Sequence, residues 1–197
     1  LVYRWAEKKN IDFFYIDRPY WGETRNHPYY MKIVKNNFIK NWQEVRPDDR
    51  FKNSFPWPIN PWKKDGKNII VCPPSNAMKE FRGVHNWLDT TLKTLKQNTD
   101  RPIIVKTKGY NPIIGVDGTG GYVVTGKDKQ KPSGPIDWND AYAIVTYNSN
   151  ITLEATTRGI PCFTDPQNAC APISETDFAK IETPKYAERE PLYHSMA

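Results

Sequence analysis

Asn148, Ser149 and Asn150 stand directly ahead of a helix-length segment, Ile151–Arg158, and Glu154 lies inside it. Small polar side chains and free amides at a helix entrance can hold a phosphate. A carboxylate about one and a half turns further on reaches a diol beside that phosphate, as acidic residues do toward ribose in nucleotide folds. On pattern alone a second reading stays open. Ser149 or Asn148 then merely caps the helix, and Glu154 complements its dipole.

Other residues could serve the same chemistry. Lys106 ends the apolar run Pro102–Lys106 and would neutralise phosphate, or is a plain solvated lysine. Ser75 follows Asn68–Cys72 and Pro73-Pro74, where it would meet a donor from the opposite lip; alternatively the prolines only end a strand. Asn10–Asp17 reads as the first strand, with Asp17 at its carboxyl end beside an aromatic loop, Arg18–Tyr30. A carboxylate there can act as a general base, or it pairs with Arg18 or caps a turn. Arg18, Tyr20 and Trp21 would touch or stack on an acceptor, although packing is the commoner fate of such aromatics. Lys32 and Lys35 would meet an anionic acceptor, or they guard the edge of a strand within Met31–Phe38. His27 and His85 are weaker candidates for the base. Lys127, Lys129 and Lys131 read as a solvated loop. No carboxylate cluster of the D-x-D kind appears, so a metal-free reaction is expected.

The elements that position these residues follow from periodicity. Ala141–Val145 reads as a buried strand, Ile151–Arg158 as a helix closed by Gly159, and Ile160–Phe163 as a second strand. Upstream, Asn68–Cys72 is a strand, and Val84, Trp87, Leu88, Leu92 and Leu95 recur at helical spacing through His85–Gln97. Pro102–Lys106 is the next strand. Lys108–Pro135 reads as a long Gly- and Lys-rich loop. Strand, helix, strand, loop, strand, helix, strand predicts an α/β fold, a Rossmann-like parallel sheet with flanking helices. Asn41–Pro61 has no convincing period and reads as a surface connection, with a linker near Pro56–Asp65. The expected domains are a small N-terminal lobe over 1–60, trimmed relative to a complete one, and a nucleotide-binding domain over 61–197.

Composition narrows the partners. There are 28 Lys and Arg against 22 Asp and Glu, a net charge of +6, which favours an anionic partner: nucleotide diphosphate, anionic glycan or nucleic acid. Seven Trp and eleven Tyr exceed what one small core needs, so some should line a surface for sugar rings or bases. No run approaches a membrane span, and no secretory signal is read. The three cysteines lack metal-ligand spacing and read as free thiols in a reducing, cytoplasmic compartment.

The segment Ser149–Phe163, SNITLEATTRGIPCF, resembles the S-x4-E-A-x3-G-x-P-V signature in the C-terminal half of GT-B glycosyltransferases and related nucleotide-sugar enzymes. Capsular-polysaccharide Kdo transferases and UDP-N-acetylglucosamine 2-epimerases are examples. The wider chain, with YIDRPYW, VCPPS and IETPKYAEREPLYHSMA, is similar to uncharacterised glycosyltransferase-like proteins of phages and marine bacteria. The resemblance implies that Ser149 and Asn150 hold donor phosphates, that Glu154 binds ribose, and that Gly159 and Pro161 shape the turn. Asn150 departs from the glycine that many members carry after the serine.

Together these readings predict a metal-independent glycosyltransferase in a bacterial or phage-infected cytoplasm. It would use a UDP- or CMP-sugar type donor and an anionic acceptor, either a glycan or a hydroxymethylated base of phage DNA. A second copy completing the cleft is compatible with one small lobe. The rival readings are a non-catalytic nucleotide- or nucleic-acid-binding protein and a nucleotide-sugar epimerase.

Overall fold

Strands rich in Val and Ile along their whole length are those covered on both faces. Asn68–Cys72 (β5), Ile103–Val105 (β6) and Ala141–Thr146 (β9) carry such runs; Cys162–Thr164 (β10) has neither Val nor Ile, yet every residue of β9 and β10 is buried. In the computed structural model these four strands lie parallel in the order β10-β9-β5-β6. The structure describes residues 2–17, 20, 23–24, 27–28, 31–37, 51, 58–106, 113–116, 122–125 and 135–196. The chain divides into two units, Ile59–Ala187 and Leu1–Pro58 with Glu188–Ala197, and the terminal helix clusters with the N-terminal unit.

In the larger unit, alternate residues of each strand serve opposite layers. Ile69, Val71, Ile103, Val105, Ala143, Val145 and Phe163 face a layer built with Leu92 and Leu95 of the helix Trp87–Asn98 (α3). Ile70, Ile144 and Cys162 face the other layer, with Ala155 of Ile151–Thr157 (α4) and with Ile136 and Trp138. Each fully buried aliphatic side chain contributes about 1.5–3 kcal/mol, so both layers are needed to hold the sheet. Helices on the two faces are what two crossovers running in opposite directions from β5 require.

Gly159 ends α4 at φ +81°, and a Cβ there would lie 2.0 Å from the Pro61 carbonyl oxygen. The backbone of residues 60–63 runs alongside, with Asn60 N–H on Thr157 O at 2.8 Å and Lys63 N–H on Gly159 O at 2.7 Å.

Several expectations need correction. The loop expected over Lys108–Pro135 contains Ile113–Val116 (β7) and Tyr122–Thr125 (β8), which extend the sheet antiparallel beyond β6. Their β-branched runs were obscured by the glycines and lysines around them. The wholly parallel sheet is therefore a mixed one. The helix Asn76–Arg82 (α2), not anticipated, precedes α3; Ser75 caps it by accepting from Met78 N–H, and Gly83 closes it at φ 69°.

In the N-terminal unit, the helix Val2–Lys9 (α1) was also missed, and Asn10 is its left-handed terminator at φ 53° rather than a strand residue. The first strand therefore begins later, at Phe14–Asp17 (β1), and pairs antiparallel with Lys32–Lys35 (β4). The aromatic loop carries two short paired strands, Glu23–Thr24 (β2) and His27–Pro28 (β3). Tyr3 of α1 seats on Phe13 and Tyr15, with ring centres 5.1 and 6.1 Å away. The helix Glu190–Met196 (α5) buries Tyr193 against Phe51 at 5.8 Å. Most of the connection read over Asn41–Pro61 lies outside the described residues.

Candidate functional site

Strand order β10-β9-β5-β6 means that the chain leaves β5 toward β6 and later returns to the far side of β5 as β9. The order reverses between β5 and β9. At such a switch point the loops leaving two neighbouring strands part to opposite faces, and open α/β sheets bind ligands outside the carboxyl ends there. In this chain those loops are residues 73–75, after β5, and 147–150, after β9. A hydrogen bond closes the seam below them, with Thr146 Oγ1 donating to Cys72 O at 2.6 Å.

Five sequence-predicted residues follow the carboxyl ends of the adjacent strands β5, β6 and β9. Ser75 is exposed and caps α2; its Oγ accepts from Met78 N–H at 3.3 Å. Asn148 and Ser149 are half-buried and Asn150 is exposed. Ser149 Oγ accepts from Ile151 N–H at 3.3 Å, and the Thr152 and Leu153 amides bond to Ser149 O and Asn150 O. The first amides of α4 thus have acceptors within the turn, one of them the Ser149 hydroxyl oxygen itself. Lys106 directly follows β6, and its Nζ donates to Pro135 O at 2.7 Å. Partial burial holds this lysine below its ordinary value, a loss that Cys72 and Asp137 partly offset.

Glu154 sits one turn into α4 and is half-exposed. Its Oε1 accepts from Arg158 Nη2 at 3.2 Å, and the Arg158 guanidinium lies 5.0 Å from the centre of the Trp138 ring. The sequence reading named neither partner. The i,i+4 spacing of Glu154 and Arg158 is visible in the sequence, whereas nothing local signals the approach of Trp138.

Asp17, Tyr20, Lys32 and Lys35 belong to the N-terminal unit. Asp17 and Lys32 are paired across β1 and β4, with Lys32 Nζ 3.5 Å from Asp17 Oδ2. The Tyr15 hydroxyl donates to the same oxygen at 2.8 Å. The Lys32 ammonium lies 5.5 Å from the Tyr15 ring centre and 4.7 Å from that of Tyr20. Burial draws the Lys32 amine below its usual value, against the pull of Asp17. It also pushes the Tyr15 hydroxyl up to about 12, reinforced by the bond to Asp17. Lys35 pairs with Asp12, whose carboxyl is held down first by Asn36 and then by that lysine. Arg18 and Trp21, together with Lys127, Lys129 and Lys131, lie outside the described residues. His85 is exposed and faces Glu80 at 3.6 Å.

No protein-family model, curated protein or solved structure matches this chain.

Among the described residues, no three His, Cys, Asp or Glu side chains group as metal ligands do. No described helix is long and apolar enough to cross a membrane. Of the three thiols, Cys162 and Cys170 are buried, and burial raises both, Cys170 to about 12; Cys72, at the carboxyl end of β5, is half-buried. A thiol so raised stays protonated and inert at neutral pH.

Proposed function

We propose that the larger unit is a GT-B-like nucleotide-sugar-binding half and that the protein is a metal-independent glycosyltransferase. The observation that carries this reading is the reversal of strand order between β5 and β9. It sets Ser75 and residues 148–150 at the carboxyl ends of adjacent strands, with Lys106 on the next strand and Glu154 on the helix that follows. In this reading residues 148–150 meet the donor diphosphate and Glu154 accepts from the ribose hydroxyls. Lys106 balances the charge that develops on the leaving diphosphate, a role suited to a cation in a partly dry setting. Asp17 takes the acceptor proton, and Lys32 and Lys35 favour an anionic acceptor such as a glycan or modified DNA base.

A second reading has an observation of its own. Asp17 is already tied to Lys32 and to the Tyr15 hydroxyl, and a carboxylate so engaged is a weaker base. That favours a nucleotide-binding protein without transfer.

The two readings share the first test and part at the second. Thermal melting with a panel of nucleoside diphosphates should show stabilisation by one or two of them, abolished in Glu154→Ala. An unchanged melt with every nucleotide would overturn both. Slow release of nucleoside diphosphate from a nucleotide sugar then supports the transferase; tight binding with an intact donor supports the binding protein.

A further inference from the structure

We infer that Arg158 is a positioning residue for Glu154, holding its carboxylate ready for a ribose diol; the inference rests on the nucleotide reading above. Three constraints meet at this arginine. Its backbone closes α4, with its N–H on Glu154 O at 3.3 Å, and the next residue is the Gly159 wedged against Pro61. Its guanidinium stands over the ring of Trp138, which belongs to the segment 135–140 and not to α4. Its Nη2 donates to Glu154 Oε1 at 3.2 Å. The arginine therefore starts from a fixed Cα, and two different elements hold its head.

Stability is a poor reason for this arrangement. The two side chains remain 46% and 42% exposed, and an exposed pair at this spacing adds little to a fold. Its effect falls instead on Glu154. A glutamate on an open helix face samples several rotamers, and freezing it when a ligand arrives costs affinity. Arg158 freezes it beforehand through Oε1, and a sugar hydroxyl can donate to Oε2 with the arginine in place. The structure thus assigns Arg158 and Trp138 to ribose recognition, and Arg158 to the choice of ribonucleotides over deoxyribonucleotides.

The test measures affinity of the full chain for ADP, GDP, CDP and UDP and for their 2′-deoxy counterparts. The variants are Glu154→Gln, Arg158→Gln and Arg158→Lys. The parent protein should bind one ribonucleotide more tightly than its deoxy form, and Glu154→Gln should erase that preference. Arg158→Gln should weaken the ribonucleotide about tenfold, the order expected when a charge-assisted hydrogen bond is lost. The deoxy form should weaken less, because it offers the carboxylate only the 3′-hydroxyl of the diol. Arg158→Lys should recover part of the preference, since an ammonium still bonds Oε1 but lacks the plane that stacks on Trp138. A preference intact in Arg158→Gln but lost in Glu154→Gln overturns the role of Arg158 alone. Equal weakening of both nucleotide forms overturns it as well. No preference in the parent, or full preference in Glu154→Gln, overturns the ribose role of Glu154 and this inference with it.

Discussion

The two edges of the parallel sheet use their polar groups in opposite ways. At the amino edge, Arg101 donates through Nε to both oxygens of Glu182 at 3.0 Å and through Nη1 to Gly66 O at 2.7 Å. Its guanidinium lies 3.6 Å from the Tyr142 ring centre, and Thr99 Oγ1 donates to the same Glu182. The charges there satisfy one another. At the carboxyl edge, Asn150 is exposed, Asn148 and Ser149 are half-buried, Lys106 donates to the Pro135 carbonyl, and Glu154 shares one oxygen with a half-exposed arginine. Charge-assisted bonds closed on each other hold a fold, whereas half-exposed groups at a switch point are, in the reading proposed above, the ones that meet a ligand. Mutations at the first edge should therefore act on stability and mutations at the second on binding.

The largest stability loss should come from Gly159, where α4 turns back toward the amino edge. Alanine there needs a left-handed backbone and puts its Cβ 2.0 Å from Pro61 O. Strain and clash act together, so Gly159→Ala should cost about 3 kcal/mol or more in urea unfolding. A loss under about 1 kcal/mol would show that residues 60–63 yield easily, and would weaken the view of this edge as rigid. Arg101→Ala comes next. It strands Glu182 and uncovers Tyr142, but the guanidinium is about one-third exposed, with 32% of its side chain accessible, so solvent softens the cost. About 1–2 kcal/mol is expected, with unchanged nucleotide affinity. An affinity change of tenfold would break the division between the edges.

How far the sequence foretold this division depends on what each residue's neighbours are. Burial on both faces leaves a continuous apolar run, so β5, β6 and β9 could be read to within a residue or two. The Gly159 terminator was equally plain. By contrast, β7 and β8 are four-residue strands set among glycines and lysines, and their antiparallel pairing with β6 has no local signature. Asn10 was read as a strand start because Ile and Phe follow it, though it is the left-handed end of α1. Residues 148–150 and Glu154 could be named as candidates because they fall just ahead of and inside one helix-length segment of the sequence. Arg101 with Glu182, and Arg158 with Trp138, were invisible, since each pair joins elements that only tertiary structure brings together. The reversal between β5 and β9 was invisible for the same reason. Local pattern names strands but does not say which side of β5 the returning chain will take.

Ser75 offers the smallest effect and the sharpest division between the two roles, because it caps α2 and also stands at the carboxyl edge. Ser75→Ala removes the acceptor for Met78 N–H and should cost about 1 kcal/mol. Ser75→Asp keeps a capping oxygen and favours the positive end of the helix, so stability should stay within about 0.5 kcal/mol of the parent. The two variants then separate what the hydroxyl does for the helix from what the edge does for a ligand. If an anion occupies the carboxyl edge, the aspartate brings a like charge toward it. Nucleoside diphosphate affinity should fall in Ser75→Asp, with the fall shrinking as salt rises. The alanine variant should bind nearly as the parent does. Equal affinity in all three proteins would leave Ser75 as a helix cap and move the anion toward Lys106 and residues 148–150.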